Sequence, residues 1–147
     1  KGLKFDMIVT IGGASVGDYD LVQKSLNQLK FKLNFWKINM RPGKPLMFGN
    51  SNNIPILGLP GNPVSSIVCS HLFLKQSIFK LQNYNFVENL TELKLSKELA
   101  SNGEREHYIR GYINQNSKNQ FFATPLDIQD SASLSSLSNA DILIIRK

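Results

Sequence analysis

The sequence predicts an open, doubly wound α/β sheet followed by a small all-β domain, and three observations carry that prediction. Strand-like apolar runs end in loops rich in glycine or proline: GGASVGDYD at Gly12–Asp20, RPGKP at Arg41–Pro45 and GLPGNP at Gly58–Pro63. Helix-like patterns follow the first and third of these loops. Beyond Asn83 the helical stripe gives way to short alternating runs. The strand ends of an open α/β sheet are where such sheets bind ligands, so the three loops are the first place to look for a site.

The elements follow in order. DMIVTI at Asp6–Ile11 is a β-branched run closed by Gly12 and Gly13, which reads as a buried strand entering a glycine turn. Leu21, Val22, Leu26 and Leu29 then fall on one helical stripe, with Asp18 placed to cap its start. Leu33–Met40 reads as a second strand, stopped by RPGKP. Ile54–Leu59 reads as a third, with Asn and Ser turn residues between the two. A helix is expected from Pro63 to about Leu81, because Asn62 can cap free amides and Pro63 suits a position that needs no backbone donor. In the second domain, Leu93–Leu95, Glu106–Ile113, Gln120–Thr124 and Ile142–Ile145 read as strands, and SASLSSLSNAD at Ser131–Asp141 as a turn with one helical turn. The expected domains are 1–82 and 83–147.

Composition narrows the classes. The chain has 147 residues, 41% of them apolar, enough for one ordinary domain or two small ones. No apolar run approaches the roughly 20 residues that span a bilayer, and no charged-then-apolar leader is present; the expectation is a soluble, cytoplasmic protein without a membrane partner. The chain does not begin with Met and enters a strand almost at once, so it reads as a fragment. Its 17 Lys and Arg against 11 Asp and Glu give +6, which suits a phosphorylated ligand, an anionic membrane or nucleic acid. Without a basic run or aromatics interleaved with Lys and Arg, a nucleic-acid partner has no site. Cys69, the single cysteine, falls in a helical pattern and reads as a buried structural thiol.

The motifs carry the chemistry. Gly12, Gly13 and Gly17 let backbone N–H groups approach an oxyanion at the start of the following helix, and Ser15 adds a hydroxyl. A ligand-free strand-to-helix turn uses the same glycines, and the loop matches neither GxGxxG nor GxxxxGK[ST]. Asp18 and Asp20 are either helix-start residues or ligands for a hard cation such as Mg²⁺; Asp18 fits the structural role better and Asp20 the ligand role. Lys37, Arg41 and Lys44 surround a rigid Pro-Gly turn and either gather an oxyanion or lie solvated on the surface. Pro60, Gly61, Asn62 and Pro63 stiffen the third loop and aim a helix start at the sheet edge. His71 and His107 lack partners at ligand spacing and read as packing or surface residues, and a Ser/His/Asp triad has no support.

Taken together, GGASVGDYD, WKINMRPGKPLMFG and GLPGNPVSS resemble the molybdopterin molybdenumtransferase family, which includes the E domain of gephyrin. The likeness covers residues 6 to about 80 closely; GEREHYIRGYI, ATPLD and SASLSSLSNAD are similar to that family's C-terminal β domain more loosely. It implies a sheet of the molybdopterin-binding type, cut short at its N-terminus, and insertion of molybdate into adenylated molybdopterin with release of AMP and help from Mg²⁺. By position, the resemblance makes Asp20 the essential acidic residue and metal ligand, and Lys37, Arg41 and Lys44 the catalytic basic positions. It places Gly12, Gly13, Ser15, Gly17, Asp18, Pro60, Gly61, Asn62, Pro63 and Ser131 against the cofactor. Arg41 stands where some members have Lys, and Asp130 and Ala132 replace family glycines beside Ser131. Family members carry further N-terminal domains and work as homodimers, so these 147 residues alone are expected to be inactive. Two other readings stand beside this one: a non-catalytic molybdopterin-binding or scaffold module of the same fold, and a nucleotide-transferring enzyme of the same pathway.

Overall fold

A computed structural model describes residues 5–13, 25, 28, 30–88, 90–130 and 133–146. They form two compact units. The first comprises Lys1–Ile38 and Gly43–Phe86, the second Asn39–Pro42 and Val87–Lys147. Four residues from the middle of the chain therefore belong with its C-terminal part.

In the first unit, β1 (Ile8–Ile11), β2 (Lys32–Trp36), β4 (Met47–Ser51) and β5 (Ile54–Leu59) form a mixed sheet in the order β1-β5-β4-β2. β1 runs parallel to β5, with Ile11 opposite Leu59, so the chain leaves both strands at the same edge. Met47–Ser51 is a strand that was not expected, and it takes in Asn50 and Ser51 from the residues expected to turn. Gly49, Asn50 and Ser51 have weak strand preference, but β4 is paired on both sides, to β2 and β5, and that pairing decides its conformation. The turn shrinks to Asn52 and Asn53, both left-handed at φ 49° and 68°, the geometry that joins twisted antiparallel strands with two residues. The second expected strand also ends early, because Lys37 takes φ 68° after Trp36.

Met47 and Ile56 form the core on one face of this sheet, with Ile8, Phe31 and Trp36 packed on them. Leu57 and Leu59 are buried too, as are Val64, Val68, Cys69 and Leu72 on the helix that follows β5. That helix runs as expected from Pro63 to Leu81, as α1 (Pro63–Cys69), a π-helical turn (Ser70–Leu74) and α2 (Lys75–Leu81). Phe79 stacks on Phe86, with ring centroids 5.2 Å apart, and so ties the end of α2 to the chain beyond it.

The second unit is built around β7 (Glu106–Gln115), which pairs with β3 (Met40–Arg41), β8 (Phe121–Pro125) and β9 (Ile142–Arg146); β6 (Lys94–Leu95) joins β8. Gly111 sits where β8 and β9 both abut β7: a Cβ there would come within 2.6 Å of the Thr124 carbonyl oxygen. The expected helical turn is α3 (Leu134–Ser138). The fold is thus a mixed α/β sheet unit followed by a small β domain, in line with the sequence. Among the described residues no helix is long and apolar enough to cross a membrane.

Candidate functional site

The parallel pairing of β1 and β5 brings two of the three motifs together. Gly12 and Gly13 have φ of 83° and 73°, a region that costs an L-residue with a Cβ roughly 1–2 kcal/mol. The Gly12 N–H donates to the Leu59 carbonyl at 3.0 Å, and a Cβ on Gly61 would lie 3.3 Å from the Gly12 Cα. The backbones of the glycine loop and the GLPGNP loop therefore touch; Gly61 is held by that close approach and Gly12 by its left-handed backbone. Pro60 is buried and Gly61 exposed. Asn62 caps α1, its Oδ1 accepting from the Ser65 N–H at 3.1 Å and its carbonyl from the Ser66 N–H at 2.8 Å. Pro63 has no N–H, so the Val64 N–H is the first-turn donor left over at the positive end of the helix. Ser15, Gly17, Asp18, Asp20 and Ser131 lie outside the described residues.

The RPGKP motif is anchored on the same unit by its second half. The Lys37 N–H donates to the Leu46 carbonyl at 3.0 Å and the Ile38 N–H to the Lys44 carbonyl at 2.9 Å. Lys37 and Lys44 thus leave the same end of the β2–β4 hairpin, both exposed. Lys37 Nζ sits 3.8 Å from the centroid of the Trp36 ring. Gly43 is buried, and its carbonyl accepts from Cys69 Sγ at 3.9 Å. Burial pushes the Cys69 thiol up to about 12, so it stays protonated and inert.

Arg41 belongs to the second unit, and there the structure adds residues that sequence reasoning had set aside. Arg41 of β3 and Arg146 of β9 are the register partners of His107 on β7. Side chains at paired positions project to the same face, so two guanidiniums flank the imidazole. Arg110, three positions along β7, is 1% exposed. Its Nη2 donates to the Asp130 carbonyl at 3.2 Å, while its Nε has no hydrogen-bond partner among the described residues. Burial, then the charges of Arg41, Arg110 and Arg146, hold His107 below its ordinary value and favour the neutral imidazole. Burial likewise lowers Arg110, Asp130 opposing and Arg41 adding to the shift; a guanidinium nevertheless stays charged. His107 is thus flanked on its own face by two fixed positive charges, while Arg110, at the opposite strand parity, keeps a buried donor without a partner among the described residues.

Tyr108 does not join this group. Its hydroxyl donates to Glu106 Oε2 at 3.1 Å, and burial with the Glu106 charge raises it to about 12. His71, in the π-helical turn, is exposed, as expected of a surface residue. Among the described residues no three His, Cys, Asp or Glu side chains converge on a common point that would hold a metal ion. They do not by themselves fit Mg²⁺, whose expected ligand is Asp20.

Two family descriptions match the chain: "probable molybdopterin binding domain" over residues 1–80 and "MoeA C-terminal region (domain IV)" over residues 92–147. The chain belongs to the molybdopterin molybdenumtransferase family. Among family relatives, the molybdopterin molybdenumtransferase of Haemophilus influenzae is 31% identical over 146 residues, covering 95% of this chain and 35% of that protein. The enzyme of the same name from Bacillus subtilis is 31% identical across 97% of this chain and 33% of its own length. The Drosophila melanogaster molybdenum cofactor synthesis protein cinnamon is also 31% identical, over 95% of this chain and 23% of that protein. This molybdenumtransferase-family chain therefore spans about a third, or less, of the length of these relatives. The moeA protein of Pyrococcus horikoshii shares its fold, with a TM-score of 0.66 at 19% identity over 97% of this chain and 33% of that one. The relatives are named for molybdenum cofactor synthesis or as molybdopterin molybdenumtransferases, and residues 1–80 match the description of a probable molybdopterin binding domain.

Proposed function

We propose that the protein of which this chain is part inserts molybdate into adenylated molybdopterin and releases AMP. The observation that carries the reading is the distribution of anion-binding groups. The touching loops after β1 and β5 bring unencumbered glycine backbone beside a capped helix start, which suits a phosphate. In the first unit Lys37 and Lys44 supply fixed positive charge that suits a tetrahedral dianion, and Arg41 is a cationic position of the second unit. In this reading Gly12, Gly13, Ser15, Gly17, Asp18, Pro60, Gly61, Asn62 and Pro63 hold the substrate's phosphate end. Lys37, Arg41 and Lys44 orient molybdate and stabilise charge as it shifts to the departing AMP, and Ser131 adds a donor. Asp20 would hold Mg²⁺, which neutralises phosphate charge when bound. The names of the relatives support the transferase reading, and the family resemblance supports a cytoplasmic homodimer with domains at 1–82 and 83–147.

The test is molybdate-dependent AMP release from adenylated molybdopterin by the complete gene product, with and without Mg²⁺, beside its Asp20→Asn variant. Release that is lost in the variant is the expected result. No release from well-folded, complete wild type overturns the enzyme reading in favour of a binding module.

A further inference from the structure

We propose that Trp36 is a positioning residue for Lys37, its indole face holding the lysine ammonium where an anionic substrate meets it. The proposal rests on the oxyanion reading above. A lysine on an exposed hairpin end spreads over many rotamers, and ordering it for an anion costs side-chain entropy. Here three contacts remove that freedom. The Lys37 backbone is fixed in the left-handed region at φ 68°, with its N–H bound to the Leu46 carbonyl at 3.0 Å. Its ammonium then lies 3.8 Å from the centroid of the preceding ring, well within cation–π range. The ring is itself held, because Trp36 packs on Met47 and Ile56, which are 1% and 0% exposed.

The contact suits a binding role. An ammonium has three N–H donors in a compact head. The ring takes one side of that head through its quadrupole, and the donors on the other side stay available to an oxyanion. The core thus reaches an exposed charge through a single aromatic side chain, and the lysine meets its ligand already placed. Lys44 leaves the same hairpin end, its carbonyl bound by the Ile38 N–H at 2.9 Å, so an anion drawn to Lys37 meets a second cation on the same support.

The chain holds one tryptophan, and the emission of the complete gene product minus that of its Trp36→Phe variant isolates Trp36. Titration with sodium molybdate is expected to shift this difference emission saturably, and Lys37→Met is expected to abolish the shift. In steady-state AMP release, Trp36→Leu should raise KM for molybdate about 2–5-fold and leave kcat within twofold, the range expected from an exposed cation–π contact. Trp36→Phe, which keeps a ring, should recover at least half of that loss. Placed in a Lys37→Met background, Trp36→Leu should add nothing. Urea midpoints for every variant separate a loosened core from a misplaced lysine. An unmoved difference emission, or the same KM loss from Trp36→Leu with and without Lys37, overturns the proposal. If wild type releases no AMP while molybdate still moves the Trp36 emission, the transferase reading fails and the positioning role stands. If AMP is released and Trp36→Leu is silent, the reverse holds.

Discussion

Replacing Arg110 by methionine should separate stability from ligand affinity, because the two respond in opposite directions. The side chain is 1% exposed, with one hydrogen bond from Nη2 to the Asp130 carbonyl at 3.2 Å and no partner for Nε among the described residues. A hydrogen bond from a charged donor contributes about 1.5–3 kcal/mol, and a buried donor without a partner costs about 1–3 kcal/mol. Deleting both leaves a balance within about 2 kcal/mol of zero. The like charge of Arg41, which also acts on Arg110, is relieved at the same time. Exchanging buried ions for apolar groups of similar volume is often neutral or stabilising, by about 1–4 kcal/mol. The urea midpoint of Arg110→Met should therefore be unchanged or higher. Loss of one charge-assisted bond to an oxyanion, about 1.5–3 kcal/mol, should weaken molybdate binding by roughly 10–100-fold. Urea denaturation and calorimetric titration with molybdate, both on the complete gene product, measure the two quantities. If Arg110→Met lost more than about 2 kcal/mol of stability and bound molybdate normally, Arg110 would be a structural residue and the anion reading of this cluster would be wrong.

Two further predictions concern the same two units. His107 is held below its ordinary value of 6.5, first by burial and then by three arginines. The unfolded chain therefore takes up its proton first as pH falls through 6.5, and the folded state loses stability from there down to the lower folded value. Urea midpoints compared at pH 7.5 and pH 5.5 should fall for wild type and fall less for His107→Gln; equal losses would show that other groups carry the pH dependence. In the first unit, a Cβ on Gly49 would sit 2.3 Å from the Phe31 Cζ and 2.4 Å from the Lys32 carbonyl oxygen. The ring can swing aside but the carbonyl cannot, so Gly49→Ala should cost about 3 kcal/mol. A urea-derived loss below about 1 kcal/mol would mean that β2 shifts freely away from β4.

Much of the fold was legible because local and tertiary demands agree. Ile54–Leu59 is a strand by composition, by its flanking turn residues and by its place between two partners, and its limits match those expected. The helix start at Asn62 and Pro63 was equally plain, since the cap needs only local chemistry. Residues 47–51 were not legible as strand, because Gly, Asn and Ser signal turns and only the pairing on both sides outweighs them. The break at Lys37 was hidden for a related reason: a lysine with positive φ has no signature in composition. In the candidate site, the contact between Gly12 and Gly61 follows from parallel pairing of β1 and β5, which the glycine loops suggested. The partners of Arg41 did not follow. His107 looked isolated, and only the register of β3, β7 and β9 places Arg41 and Arg146 beside it.

The short strand β3 also sets an order of events during synthesis. Asn39 donates its side-chain amide to the Glu104 carbonyl at 2.8 Å, a partner 65 residues later in the chain. At translation rates of about 5–20 residues per second, those residues follow roughly 3–13 s after Asn39 has been made. The described strands of the first unit's sheet, with Lys37 and Lys44, are all made by Leu59 and can pair in that interval. Arg41 cannot reach its register until β7 exists. A nascent or truncated chain that ends before Glu106 would carry its hairpin lysines in place and Arg41 unassigned, so the cationic groups of this protein mature one after another rather than together.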